Sequence, residues 1–235
     1  MAVLSLAPAT AALANGPAPT TTSVEVKLWY PEWAVSHFDQ NVGVYAQSAR
    51  SAGISSISLN FHAPFNFGER HPACFGLSYS PKASFGLSPG GHELAREEIE
   101  LASCFQIVPR VLLANGIKLL RISRLSNSAT NSVYDKELMS YSALSVLTPI
   151  ADTQGKLTHW SLEGSISGGA GTSKSINDGP RAEYFSVELG VAYLVNNSAR
   201  VGLTYKLETA DLFLTDHEKL RDYTHGPALA VRALF

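Results

Sequence analysis

The segment SVELGVAYLV, followed three residues later by ARVGLTYKLE, constrains the fold of this chain more than any other. In the first run Val187, Leu189, Val191, Tyr193 and Val195 alternate with Ser186, Glu188, Gly190, Ala192 and Leu194. In the second, Val201, Leu203, Tyr205 and Leu207 alternate with Arg200, Gly202, Thr204, Lys206 and Glu208. A period of two sends successive side chains to opposite faces of a strand, so each run is a strand with one apolar and one mixed face. Only Asn196, Asn197 and Ser198 separate them, and the pair forms a tight hairpin. The closing GPALAVRALF repeats the pattern and stops on an aromatic residue, Phe235.

Ten such segments are read along the chain, near 23–31, 54–64, 73–81, 96–107, 111–123, 137–150, 157–167, 183–195, 199–210 and 226–235. Most have the ~9 to 11 residues that a tilted strand needs to cross a bilayer. Connections 108–110, 151–156 and 196–198 are short, whereas 32–53, 82–95, 124–136, 168–182 and 211–225 are long, so short and long ends fall on opposite sides. No run approaches the roughly 18 apolar residues of a membrane-spanning helix. Charged residues make up only 16% of the chain, against about 25% in an ordinary soluble domain. The net charge of −2 excludes nucleic-acid binding driven by bulk charge. Residues 1–14 are small and apolar and end in Ala12-Leu13-Ala14, the form of a signal-peptidase site without the basic start. Residues 1–22 are therefore expected to be a signal-peptide remnant and disordered lead-in, and 23–235 a single domain.

Alternating strands, short turns on one side, long Gly/Ser/Asn/Asp-bearing loops on the other, and the terminal Phe235 together resemble the Gram-negative outer-membrane β-barrel proteins of the small, OmpA-like size range. The resemblance implies an all-β, closed, antiparallel up-and-down transmembrane barrel of about ten strands, with eight or twelve as alternatives. It also implies contact with outer-membrane lipid and lipopolysaccharide, and recognition of Phe235 by the barrel-assembly machinery. A soluble lipocalin-like barrel shares the periodicity, with its apolar face turned inward.

If the apolar stripe faces lipid, the opposite face carries Glu25, Lys27, Glu98, Glu100, Lys118, Glu163, Glu188, Lys206 and Arg232. Mixed signs point to mutual pairing in a plugged lumen, whereas a selective pore favours a ring of one sign. Counting from the turns sets Glu188 opposite Lys206, Glu100 opposite Lys118, and Ser103 opposite Asn115 on the lipid side. The first two are expected to be ion pairs. Ser103 and Asn115 are expected to satisfy each other in the apolar band or to mark a subunit contact. Arg121 and Arg124 reach the outer end of their strand, where lipopolysaccharide phosphates would lie. Cys74 and Cys104, the only cysteines, fall on neighbouring strands and the same face, as a cross-strand disulfide or as two buried thiols.

Catalytic signals are weak. RLSNS, from Arg124 to Ser128, resembles the H-x-S-N motif of the outer-membrane lipid A deacylases, but Arg124 stands where the base should be. GGAGTSKS at 168–175 lacks the spacing of a phosphate-binding loop and reads as a surface loop. The seven histidines show no metal-ligand spacing. Trp33, His37, Asp39, Asp178, Asp211, Asp216 and Tyr223 fall in the long loops, where they could meet an extracellular ligand. The expectation is a non-enzymatic barrel with no cofactor or metal, a plugged lumen and long extracellular loops. The alternatives are a narrow solute channel, a lipid A-modifying hydrolase and the soluble binding barrel.

Overall fold

The computed structural model describes residues 22–39, 43–49, 56–66, 72–86, 93–108, 110–125, 133–172, 180–213 and 218–235. The strands are β1 (Ser23–Trp29), β2 (Glu32–Asp39), β3 (Gly43–Ala49), β4 (Ser56–Asn66), β5 (Pro72–Gly86), β6 (Glu93–Val108), β7 (Val111–Leu125), β8 (Val133–Ala151), β9 (Leu157–Thr172), β10 (Pro180–Asn196), β11 (Ala199–Phe213) and β12 (Glu218–Leu234). They form one antiparallel up-and-down sheet in the order β1-β4-β5-β6-β7-β8-β9-β10-β11-β12-β2-β3, and β1 pairs with β12 as well as with β4.

The hairpin registers follow the turn arithmetic. Glu188 faces Lys206, Leu189 faces Tyr205 and Tyr193 faces Val201; Glu100 faces Lys118 and Ser103 faces Asn115. Local turn chemistry supports the short connections. Asp152 Oδ1 accepts from the amides of Gln154 and Lys156, Asn196 Oδ1 accepts from Ser198, and Gly155 takes a left-handed φ of 80°.

All five intervals expected as long loops contain strand, since 82–95, 124–136 and 211–225 take in the ends of β5 and β6, of β7 and β8, and of β11 and β12. The interval 32–53 contains β2 and β3. β2 runs along β12 in the register that β1 began: Asp39 opposite Glu218 continues the series that sets Ser23 opposite Leu234. Pro31 interrupts the two, since it has no N–H to give to a ladder. There Tyr30 N–H donates to the Pro227 carbonyl at 2.9 Å. Gly226 makes the approach feasible, because any Cβ there would collide with the Tyr30 carbonyl. The interval 168–182 likewise contributes Gly168–Thr172 to β9 and Pro180–Ala182 to β10. From β5 onward the strands have 15 to 19 residues, more than the ~9 to 11 that a bilayer requires. The surplus is on the side of the long connections.

Burial shows which way the faces point. Leu189 is 63% exposed and Leu203 56%, whereas Lys118 and Glu208 on the other face are at 0%. A water-soluble barrel would show the reverse, so the apolar face is built for lipid. Aromatic side chains mark both margins of that band. Trp160 and Tyr193 meet at 5.0 Å with tilted rings near the short turns, and Tyr205, Tyr223 and His225 cluster toward the other side. Cys74 and Cys104 are ladder partners joined by a disulfide, with Cα atoms 4.9 Å apart.

Candidate functional site

The inner face holds the side chains from which any function inside the sheet must be built. At its centre is Glu208 on β11, fully buried, a residue that strand parity places inside but that is absent from the expected set. It accepts from Arg96, from Lys118 at 3.3 Å and from the Tyr184 hydroxyl at 3.1 Å, and Lys206 lies 2.6 Å away. Arg96 also pairs with Glu98 at 3.1 Å and Asp222 at 3.3 Å, and Lys118 with Glu98 at 2.8 Å. Aromatic rings close the gaps: Lys118 sits 4.0 Å from the Tyr184 centroid, and Lys206 4.8 Å and Arg96 5.8 Å from that of Trp29. Trp29 is held by its indole N–H, which donates to the Gly226 carbonyl.

A second group lies nearer the short turns. Lys27 pairs with Glu188 at 2.6 Å, and Thr204 donates to the same carboxylate at 2.7 Å. Arg232 holds Glu25 through Nε at 2.9 Å and through Nη2, and Arg200 holds Glu163 at 3.1 Å. Every expected inner charge thus has a partner, but not always the expected one. Glu188 and Lys206 face each other in the ladder yet bond to Lys27 and Glu208. Glu100 keeps its ladder partner Lys118 at 4.0 Å, a long ion pair, and accepts more closely from the Tyr141 hydroxyl at 2.5 Å. The pairing runs along strands and across them alike: Lys206 meets Glu208 on its own strand, Glu98 meets Lys118 on the next, and Arg96 meets Glu208 on a distant one. The residues missed were Arg96, Arg200, Glu208, Asp222 and Trp29. Alternation alone would have placed Arg200 and Glu208 inside.

Tyr141 is seated by glycines. Gly116 and Gly169 are its ladder neighbours on β7 and β9, and a Cβ at either would collide with Tyr141 or with backbone beside it. The GGAGT stretch is therefore strand made thin so that a ring can lie flat against it.

On the outer face, Arg121 is paired with Glu97 at 2.7 Å, and the Tyr79 hydroxyl meets the same carboxylate. Arg124 lies opposite Leu94 in the ladder; Ser126 lies outside the described residues, as do Asp178, Asp216 and the segment 1–21. Trp33, His37, Asp39, Asp211 and Tyr223, expected in loops, stand in β2, β11 and β12. Asp211, beyond the aromatic margin, accepts from Arg221 at 2.6 Å and Lys219 at 3.2 Å. Burial raises its carboxyl pKa, but these two partners outweigh burial and hold it below the ordinary carboxylate range. Asn115 does not pair with the Ser103 side chain. Its Oδ1 accepts from Ser142 at 2.7 Å, and Ser103 donates to the Asn115 backbone carbonyl. Phe235 is exposed, and its amide bonds to the Thr22 carbonyl at 2.8 Å. Among the described residues no group of three or more His, Cys, Asp or Glu is placed to hold a metal ion.

No family profile and no curated protein matches the chain. Solved structures do. The outer membrane protease OmpT from Escherichia coli is similar with a TM-score of 0.55 at 10% identity, covering 95% of this chain and 100% of that one. The translocator domain of the autotransporter NalP from Neisseria meningitidis gives 0.46 at 14% identity, over 96% and 91% of the two chains. The P. putida toluene transporter TodX gives 0.41 at 9%, over 92% and 90%. The fold is that of the outer-membrane β-barrel proteins, and a shared fold does not by itself fix an activity.

Proposed function

We propose that the chain is a bacterial outer-membrane protein forming a closed barrel of ten passes, with a lumen blocked by its own ion pairs and no catalytic role. Its outer rim and loops carry its interactions. In this reading β1 with β2, and β3 with β4, are each one interrupted pass, and the β1–β12 ladder is the seam. The observation that supports blockage most strongly is the contact between Arg96 and Glu208. Strands β6 and β11 are five ladder steps apart in either direction, so a side chain joining them spans the full width. Lys118 and Trp29 fill the space beside that strut. The six bases and seven acids named above are nearly balanced and leave no ring of one sign for a permeating ion. At the outer margin, Arg121 with Arg124 is the proposed contact for lipopolysaccharide phosphate, with Arg121 sharing its guanidinium between Glu97 and the lipid. Phe235 is the proposed contact for the assembly machinery.

Planar-bilayer recording of the purified chain tests the blockage. The wild type should give no stepwise conductance, and the combined Arg96→Ala and Glu208→Ala change should admit small ions. Stable open steps from the wild type would overturn the reading, as would release of acyl chains from purified lipopolysaccharide.

A further inference from the structure

One rung of the lipid-facing surface is more polar than its neighbours, of which the one toward the long connections has only Ser140, bonded to the Ala170 carbonyl. Ser103, Asn115, Ser142 and Gly168 are successive ladder partners across β6, β7, β8 and β9, all on the outer face. The next outward rung toward the short turns is Phe105, Leu113, Leu144 and Ile166. Asn115 is exposed, and with its Oδ1 engaged by Ser142 its amide donors point to a medium that offers no acceptor. Gly168 supplies an independent observation. A Cβ there would meet nothing nearer than the Tyr184 carbonyl at 3.6 Å, so the chain's own packing does not require glycine, in contrast to Gly116 and Gly169. The notch it leaves opens outward, beside the exposed Phe185 and Ile166.

We infer that this face is a two-fold contact between copies of the chain. Reversing the rung on itself about an axis along the membrane normal through Ser142 sets Asn115 of each copy over Gly168 of the other, so that one amide enters one notch twice. Each carboxamide then reaches the Ser142 hydroxyl oxygens at the axis. The rung carries both donors and acceptors, and its knob and notch are equidistant from Ser142, one strand to either side. Five strands spaced about 4.8 Å apart over a band ~25 Å tall offer roughly 400 to 500 Å² per copy, which places the contact in the small, weak class. Small residues and polar groups are the usual means by which spans associate where the surrounding lipid is itself apolar.

The experiment uses the full chain in phosphatidylcholine vesicles, with insertion monitored by heat-dependent gel mobility. Ser142→Cys, on the axis, should give an oxidant-dependent disulfide-linked dimer, since Cys74 and Cys104 are already joined. Energy transfer between labelled wild-type copies should rise with protein-to-lipid ratio, and Asn115→Leu should lower the association constant about three- to tenfold. Gly168→Leu should abolish both signals, and Gly168→Ala should weaken them while leaving gel mobility unchanged. No cross-link together with no energy transfer at any ratio would overturn the inference. So would a dimer indifferent to changes at Asn115 and Gly168, or a rung occupied by bound lipid in a monomer.

Discussion

Glu208 shows how much a single side chain can hold in an interior of this kind. Three bases converge on it, and removing the carboxylate takes the ion pair of Lys206 and leaves Arg96 to Glu98 and Asp222, and Lys118 to Glu98. Glu208→Leu should therefore cost about 3 to 5 kcal/mol, measured as a shift of the urea midpoint in lipid vesicles. A change below 1 kcal/mol would mean that water reaches Arg96 and Lys118. Pair choice is testable in the same way. A double-mutant cycle of Lys27→Met with Glu188→Gln should show coupling of about 1 to 3 kcal/mol, and the Glu188 and Lys206 cycle distinctly less, because the ladder partners are not bonding partners. Equal coupling in both cycles would refute the assignment. The sequence carried half of this. Parity and turn length put Glu188 across from Lys206, but which walls face each other over the interior depends on the whole circuit of strands. No local pattern encodes that Arg96 meets Glu208.

The strands were legible where one face is in lipid and illegible above it. Within the band, outward residues must be apolar and the alternation is unmistakable, as in Val201, Leu203 and Tyr205. Beyond it, the outward positions of β12 are Tyr223, Arg221 and Lys219, those of β11 include Thr209 and Asp211, and the period disappears although the ladder continues. Glycine misled for another reason. GGAGT has loop composition, yet Gly169 is required by the Tyr141 ring. Gly169→Ala should cost about 1 to 3 kcal/mol by overpacking, and Gly168→Ala, one residue earlier, close to nothing. Identical urea midpoints for the two would remove the account of Tyr141. The strand extensions also carry a pH signature. The Asp211 carboxyl is lowered in the folded state, so its contribution is complete above the unfolded value of about 4 and is lost as pH falls through the lower folded value. Thermal unfolding of the wild type should weaken below about pH 4, and Asp211→Asn should flatten that part of the profile. An unchanged profile would show that Arg221 and Lys219 lie in water.

At the scale of the molecule, the fold came from patterns repeated along the chain, while the arrangement of charges inside it did not. Ladder, outward apolar face and aromatic margins follow from alternation and turn length. The inner ion pairs follow from side chains on distant strands, such as Arg96 and Glu208, whose meeting requires every strand in place. The bond from Phe235 to Thr22 joins the two strands that lie farthest apart in the sequence. β1 and β12 pair with each other, so each keeps an unsatisfied edge until both are in place, and theirs is the strand contact of longest sequence separation. Since residues 22 and 235 adjoin, the order of strands around the sheet matters more than where the chain is opened. A circular permutant with residues 22 and 235 joined by a short linker and new termini opened in the 152–156 turn should assemble the same molecule, with its late step moved to the other side.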